Sequence, residues 1–238
     1  MREVRYEYLK GREVTRRLQA KPVGYLPVGA IERHGDHLPM GLDVLKAQAV
    51  CSECARKIGG VVLPPHFYSG IHLDRDRKDL SKVDKARQRR RIQHFVSEWG
   101  NIYTDDSAED HLADVMRNLR TLGVRVLVLY TGHYPGSQLR MVKRLAARFN
   151  RGRGSMKVVP FSEPWLFKDG DHAGKWETSI YMALCPEHVD MRRIAPRNFK
   201  DHGWNEQRDP RQASPEFGKK AVRRIVAYLR KEIEEALG

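Results

Sequence analysis

Two histidines and three carboxylates lie within twelve residues of this sequence, in the segment ERHGDHLPMGLD at residues 32–43. The segment follows an apolar run at residues 24–30 that has the length of a buried strand. Imidazole and carboxylate groups together suit zinc, manganese or iron, and a carboxylate can bridge two such ions. The spacing of Glu32 and His34 in an extended loop lets both side chains project in the same direction. The segment therefore predicts a metal site.

Asp43 at the end of this segment has a second interpretation. It comes directly before Val44, where a helix is predicted to begin. An aspartate in that place is typical of a helix N-cap. Taken alone, Asp43 is interpreted as a cap, and taken together with Glu32 and His34 it is interpreted as a metal ligand.

Polar and aromatic side chains also follow the other predicted strands. They are His72 after the second strand, His133 and Tyr134 after the third, and Trp165, Asp171, His172 and Glu177 after the fourth. In an open parallel sheet, ligands bind beyond the carboxyl ends of the strands. These side chains are therefore expected to converge on one edge of the sheet.

The elements that must position these residues alternate along the chain. Strands are predicted at residues 24–28, 60–64, 124–130 and 157–161, and helices at residues 44–58, 108–122 and 138–149. A last helix begins at Pro215, with Ser214 as its N-cap. This alternation predicts one α/β domain over residues 1–238, in which a mostly parallel sheet lies between two layers of helices.

The composition is that of a soluble globular protein, with 40% hydrophobic and 31% charged residues. No apolar stretch approaches the length of a membrane span, and the charged N-terminus does not resemble a secretion signal, so a cytoplasmic location is expected. Three cysteines argue against a disulfide framework. Cys51 and Cys54 could form a redox or zinc motif, but they are better interpreted as half-buried residues of the helix at 44–58.

Much of the formal net charge of +14 comes from residues 75–94, which hold nine Lys or Arg against three Asp. Such a run indicates a solvated helix or a subunit contact, and its arginines are not expected to matter for catalysis. A nucleic-acid-binding module is the alternative. The segment contains no known binding motif, and the helical spacing of Ile92, Phe95 and Trp99 assigns the aromatic side chains to packing. Nucleic acid is therefore not an expected partner.

The segment LPVGAIERHGDHLPMGLD resembles the signature of the creatininase (creatinine amidohydrolase) family, in which a strand runs into Glu-x-His-Gly-x-His-Leu-Pro and then Asp. Residues 130–134, YTGHY, resemble the Asn-Gly-His loop of the family, and residues 172–179, HAGKWETS, resemble its His-Ala-Gly-x-x-Glu-Thr-Ser motif. Residues 209–218 resemble the stretch before its last helix. These matches follow the order of the family, so the chain is identified as a member, with a basic insertion at about residues 75–98.

The resemblance implies a homo-oligomeric enzyme, often a hexamer, with two divalent ions per chain, zinc or manganese, with iron as an alternative. Glu32 and His133 would hold one ion and His34 the other, with Asp43 between them. His172 corresponds to the catalytic histidine of the family, a proton shuttle. Asp171 stands where creatininase has an acidic partner of that histidine. His72, Tyr134 and Trp165, which follow predicted strands, are candidate contacts of the substrate, although an aromatic side chain at the end of a strand is more often part of the packing.

Two departures from the family bear on the substrate. Creatininase carries a glutamate two residues after its loop histidine, where this chain has Pro135, and Thr131 replaces the usual asparagine before Gly132. Glu177 is the nearest candidate to supply the missing carboxylate. Because it opens a predicted helix, it could instead only complement the helix dipole.

The expected activity is a metal-dependent hydrolysis that opens or cleaves a small polar cyclic amide, formamide or cyclic ketone. A water activated by metal would attack the carbonyl group, and His172 would pass a proton to the leaving atom. The alternative within the family is a hydrolase of an oxidised inositol, of the 3-dehydro-scyllo-inosose type.

Overall fold

Four parallel strands form the middle layer of the structure: β1 (Val23–Val28), β2 (Val61–Val62), β3 (Val126–Thr131) and β4 (Lys157–Phe161). They are ordered β2-β1-β3-β4 across the sheet. The computed structural model describes residues 3–70, 81–104, 107–152, 154–168, 170–194 and 208–238. Each predicted strand is present, although β2 is shorter than predicted.

The described residues form eight α-helices. They are α1 (Gly11–Ala20), α2 (Leu42–Ile58), α3 (Lys82–Trp99), α4 (Ser107–Thr121), α5 (Gly136–Arg151), α6 (Glu163–Phe167), α7 (Lys175–Leu184) and α8 (Pro215–Leu237). Short 3-10 turns lie at Tyr6–Tyr8, Pro186–His188, Met191–Arg193 and Pro210–Gln212. None of the described helices combines the length and the hydropathy needed to cross a membrane.

Two apolar cores lie on opposite faces of the sheet, because successive side chains of a strand point to opposite faces. Val126, Val128 and Tyr130 of β3 pack in the core beneath α2 and α8, whereas Leu127 and Leu129 pack in the core beneath α1, α4 and α5. The sheet is therefore buried on both faces, as the continuous apolar strands predict. The α/β/α layered fold expected from the sequence is confirmed.

The last helix, α8, begins as predicted. The Ser214 hydroxyl accepts a hydrogen bond from the Phe217 N–H, and Pro215 occupies the first turn. Its apolar side chains at helical spacing, including Val222, Ile225 and Leu229, are buried against the sheet. Burial of this stripe fixes α8 as a covering helix.

Helix α3 contains most of the basic segment, of which residues 75–80 lie outside the described part of the chain. Ser81 and Asp84 form a capping box at its start, and Gly100 ends it with a φ of 70°. No residue of α3 is fully buried, and Val83 and Val96 are 73% and 46% exposed. The expectation of a solvated helix holds for this part of the segment.

Candidate metal centre

Three segments meet at the carboxyl edge of the sheet. The loop after β1 carries Glu32 and His34 and is closed by a hydrogen bond of 2.8 Å from the Glu32 N–H to the Met40 carbonyl oxygen. The turn after β3 carries His133, and the first turn of α7 carries Glu177. Because β1 and β3 are neighbours in the sheet, their loops place these side chains together.

Two groups of three ligand atoms share Asp43. In the first, His133 Nδ1 lies 3.0 Å from Glu32 Oε2 and 2.9 Å from Asp43 Oδ2. In the second, His34 Nε2 lies 3.1 Å from Asp43 Oδ1 and 3.6 Å from Glu177 Oε2. Within each group the ligand atoms lie within 4.8 Å of one another, and all five residues are buried. Asp43 therefore has one carboxylate oxygen facing each group.

The interpretation of Asp43 as a helix cap is wrong. Helix α2 begins at Leu42, and Gly41 occupies the N-cap position without a side-chain bond. Asp43 is thus the second residue of the helix, and its carboxylate faces His34 and His133. Helix α2 starts earlier than predicted, since Leu42 is buried with the apolar residues that follow it.

The orientation of His34 tests whether cations fit this cluster. His34 Nδ1 lies 2.8 Å from the Glu32 carbonyl oxygen, which can only accept a hydrogen bond, so Nδ1 carries the proton. In the neutral ring, Nε2 then presents a lone pair to the carboxylate oxygens of Asp43 and Glu177. Metal ligands are expected to converge in this way, with a histidine lone pair and two carboxylates in a buried place. A histidine that binds a metal also commonly donates its other ring N–H to a backbone carbonyl, as His34 does here. The donor set fits a divalent ion of the zinc or manganese type.

Buried hydrogen bonds hold the first group in place. Tyr103 donates a hydrogen bond of 2.8 Å to Glu32 Oε1, and Asn101 donates one of 2.6 Å to the Tyr103 hydroxyl. The His133 N–H donates to the Thr131 hydroxyl at 3.2 Å, which fixes the turn after β3. A Cβ atom at Gly132 would lie 2.1 Å from the Asp43 carbonyl oxygen, so only glycine permits this approach of the turn to α2. Tyr103 and Asn101 were not predicted from the sequence.

A buried lysine that was not predicted supports the second group. The side chain of Lys46 is fully buried, with its Nζ 2.7 Å from Glu177 Oε1 and 3.3 Å from Glu163 Oε1. It also donates to the Tyr134 hydroxyl. Burial lowers the pKa of Lys46, but the charges of Glu163 and Glu177 outweigh it and raise the pKa above its ordinary value. Because Lys46 lies three residues after Asp43 in α2, helical spacing could have placed it on the same side of the helix.

The contacts of Glu177 bear on the two roles considered for it. Its Oε2 accepts a hydrogen bond of 2.9 Å from the Ala173 N–H, at a residue with a left-handed φ of 52°. The same oxygen faces His34 Nε2 at 3.6 Å. Asp171, however, accepts the N–H groups of Trp176 and Glu177 at 2.6 and 3.2 Å and so satisfies the first turn of α7. Glu177 is therefore not needed as the main cap of this helix.

Asp171 and His172 line one cavity with the cluster. Burial raises the pKa of Asp171 to about 7, and the charge of Glu177 adds to this effect. His172 Nε2 lies 2.9 Å from the Arg33 carbonyl oxygen, and its ring centroid lies 4.3 Å from that of His34. Since the described contacts of Asp171 are with helix N–H groups, its pairing with His172 stays a prediction.

The cavity above the cluster has a volume of about 220 Å³. Its walls come from the cluster and from α3, and its described lining residues are Glu32, Asp43, Arg91, Phe95, Trp99, His133, Tyr134, Pro135, Asp171, His172 and Glu177.

The lining of this cavity bears on several sequence-based interpretations. Tyr134 lines the cavity as expected, but Trp165 is absent from the described lining residues. The Trp165 ring packs instead against the core beneath α5, and Lys143 Nζ lies 4.8 Å from the centroid of this ring. Phe95 and Trp99, which were assigned to packing, line the cavity instead, and the expectation that the arginines of the basic segment do not matter for catalysis stays a prediction. The predicted contact of His72 with substrate lies outside the described residues.

A parallel sheet between two layers of helices, with a cluster of histidines and carboxylates at its carboxyl edge, defines an α/β protein with a candidate metal centre. The creatininase family profile, described as creatinine amidohydrolase, matches residues 7–76 and 100–233. The chain belongs to the creatininase family.

Individual relatives agree with this assignment. The chain is 33% identical over 195 residues to creatinine amidohydrolase of Pseudomonas putida, a match that covers 71% of this chain and 66% of the relative. It is 22% identical over 221 residues to 3-dehydro-scyllo-inosose hydrolase of Thermotoga maritima, covering 84% of this chain and 63% of that protein. The matches thus span just under two thirds of each relative's length.

Solved structures show the same fold. A crystal structure of creatinine amidohydrolase superimposes with a TM-score of 0.69 and 28% identity, covering 99% of this chain and 98% of the other. A manganese form of creatininase gives the same TM-score and identity, with 98% of both chains covered.

Removal of metal is expected to make stability depend on pH. Burial opposes the charged form of both histidines. The charges of nearby carboxylates outweigh burial: Asp43 and Glu177 raise the pKa of His34 to about 9. Glu32 and Asp43 raise the pKa of His133 to about 10. Because these folded-state values exceed the unfolded value of about 6.5, the stabilisation is complete below about pH 6.5 and is lost as the pH rises through 9 and 10.

We therefore expect the Tm of EDTA-treated protein to fall between pH 7 and 10. Zinc-loaded protein should change much less, because ligation requires neutral imidazole at every pH in this range. Thermal unfolding followed by circular dichroism, with and without zinc, measures both curves. Parallel curves would show that the two histidines do not hold protons in the ion-free protein.

Proposed function

We propose that this protein is a metal-dependent hydrolase of a small polar molecule with a cyclic amide, formamide or cyclic ketone group. The observation that carries the proposal is the sharing of Asp43 between two groups of buried ligands, one with Glu32 and His133 and one with His34 and Glu177. Such an arrangement suits two divalent ions held close together by a bridging carboxylate. Manganese is named for one similar creatininase structure, and zinc for another that is 27% identical with a TM-score of 0.69.

Divalent ions bound at these groups would polarise a carbonyl group and make a water molecule acidic enough to attack it near neutral pH. The protein's own residues prepare this step. Tyr103 and the Glu32 backbone carbonyl orient Glu32 and His34, and Lys46 fixes one oxygen of Glu177 so that the other faces His34. The ligands are thereby held before substrate binds.

His172 is the candidate for proton transfer. A proton on its Nε2 donates to the Arg33 carbonyl oxygen, so in the neutral ring Nδ1 is the nitrogen that can take up a proton. In the proposed reaction, Nδ1 accepts a proton from the attacking water and returns it to the leaving nitrogen or carbon. Asp171, whose pKa is raised to about 7 mainly by burial, lines the same cavity and can hold a proton near neutral pH.

The size of the cavity supports a small substrate, and two features of its wall argue against creatinine. Its volume of about 220 Å³ is below the range typical of sites for drug-sized ligands. Pro135 lies in its wall, at the place where the resemblance to creatininase implies a glutamate. Arg91, Phe95 and Trp99 add a wall from a segment that the family profile does not match.

The test is a hydrolysis screen of zinc- and manganese-loaded protein against creatinine, other cyclic amides, formamides and ketocyclitols. We expect turnover of at least one of the last three classes, abolished by EDTA and restored by metal, and creatinine turnover far below a typical enzymatic rate of about 10 per second. Creatinine turnover near that rate would overturn the substrate assignment. Metal-independent turnover that survives His172→Ala would overturn the mechanism.

A further inference from the structure

One wall of the cavity is made by helix α3. Arg91, Phe95 and Trp99 lie four residues apart, so they share one face of this helix, and all three line the cavity with the candidate metal ligands. The family profile matches residues 7–76 and 100–233, which leaves out the whole of this helix. The wall is therefore a feature of this chain that the family match does not describe.

The three side chains form a cationic and aromatic surface. The Phe95 and Trp99 rings are stacked, with their centroids 4.6 Å apart, and the guanidinium carbon of Arg91 lies 5.2 Å from the Phe95 centroid. Arg33, from the loop of the metal ligands, places its guanidinium carbon 6.0 Å from the Trp99 ring. Flat aromatic faces beside a guanidinium suit a planar ring that carries an anionic group.

The charges of the cavity make Arg91 the group that can bind an anion. The other charged lining residues of the described chain are the carboxylates Glu32, Asp43, Asp171 and Glu177, together with the histidines. Ions in the two ligand groups would be held by Glu32, Asp43 and Glu177 with the histidines, and Asp171 is bound by N–H groups of α7. Arg91 comes from α3, which carries none of the candidate ligands, and no carboxylate of the described chain forms an ion pair with it. An arginine binds a carboxylate through two parallel hydrogen bonds.

We propose that α3 determines specificity and that the substrate carries a carboxylate, which binds Arg91 while its ring lies against Phe95 and Trp99. This inference rests on the proposed hydrolase function and names the chemical class of its substrate. Arg91 is a binding residue in this account, because it comes from α3 and not from the segments that carry the candidate ligands, and it takes no part in proton transfer.

Two rings that differ only in a carboxylate provide the test. Dihydrouracil and dihydroorotate are cyclic amides of this kind, and their Kd values for zinc-loaded protein can be measured by calorimetry. In the wild type we expect dihydroorotate to bind about tenfold or more tightly, the effect of hydrogen bonds between charged groups. Arg91→Gln should reduce this preference to about twofold or less, and Arg91→Lys should restore part of it.

Arg90→Gln is the matched control, because Arg90 is the preceding exposed residue of α3 and does not line the cavity. It removes the same charge and should keep the full preference. If Arg91→Gln still prefers dihydroorotate, the carboxylate binds the zinc ions and the proposal is overturned. Equal binding of the two rings by the wild type, or no binding of either, would also overturn it. Failure of the proposed hydrolase function is distinguishable, because it would appear in the turnover screen as zinc-loaded protein that hydrolyses none of the tested classes, whatever the two Kd values are.

Discussion

The Glu177→Gln protein is expected to retain about one divalent ion per chain instead of about two, and to lose activity by about 100-fold or more. Glu177 Oε2 faces His34 Nε2 at 3.6 Å while Oε1 is paired with Lys46 at 2.7 Å. The neutral amide of glutamine lacks the negative charge that both contacts need, the one toward an ion at His34 and the one with Lys46. The group formed by Glu32 and His133 should keep its ion, since it does not include Glu177.

Metal analysis of purified protein, together with the activity of the metal-loaded form, measures the effect. Glu163→Gln is the control, because Glu163 also pairs with Lys46 but is not part of either ligand group. It should retain both ions. Two retained ions with full activity in Glu177→Gln would leave Glu177 a structural role only, through its ion pair with Lys46, the hydrogen bond it accepts from the Ala173 N–H, and an interaction with the helix dipole worth about 0.3 to 1 kcal/mol.

The layered fold could be predicted because the central strands are apolar on both faces. A run such as VLVLYT in β3 has no polar side to face water, so it requires helices on both sides of the sheet. Helix α1 was not predicted, since it buries only Val14 and Leu18 and is otherwise mostly charged or polar. Two buried residues one turn apart give too weak a periodic pattern to separate a helix from a loop.

The candidate ligands could also be predicted, because they directly follow strands, and parallel strands end at the same edge. Glu32, His34 and His133 are of this kind, and the structure brings them together with Asp43 and Glu177. The supporting residues could not be predicted in the same way. Tyr103 reaches Glu32 across 71 positions of sequence, and such a contact depends on how distant segments pack.

Helix α3 shows why charge alone was misleading. A run of arginines predicts solvation, and most of α3 is exposed, as expected. The face that carries Arg91, Phe95 and Trp99 nevertheless lines the cavity. Its function depends on where the helix is docked, which is a tertiary property that local composition does not contain.

Replacement of Lys46 by methionine is expected to lower the free energy of unfolding by about 3 to 5 kcal/mol, the cost of breaking a buried ion pair from one side. Lys46 Nζ pairs with Glu177 at 2.7 Å and Glu163 at 3.3 Å, and all three side chains are at least 96% buried. Methionine fills a similar volume, so the loss comes mainly from two buried carboxylates without their cation.

The double variant Lys46→Met with Glu163→Gln should recover part of this loss, because one of the two uncompensated charges is then removed. Urea unfolding of the wild type, the single variant and the double variant, each with zinc and with EDTA, gives the six free energies needed. Zinc should reduce the effect of Lys46→Met, because an ion beside Glu177 supplies positive charge that the lysine no longer provides. A change below about 1 kcal/mol in EDTA would mean that the carboxylates take up protons when the lysine is lost, and the stability of Lys46→Met would then fall as the pH is raised.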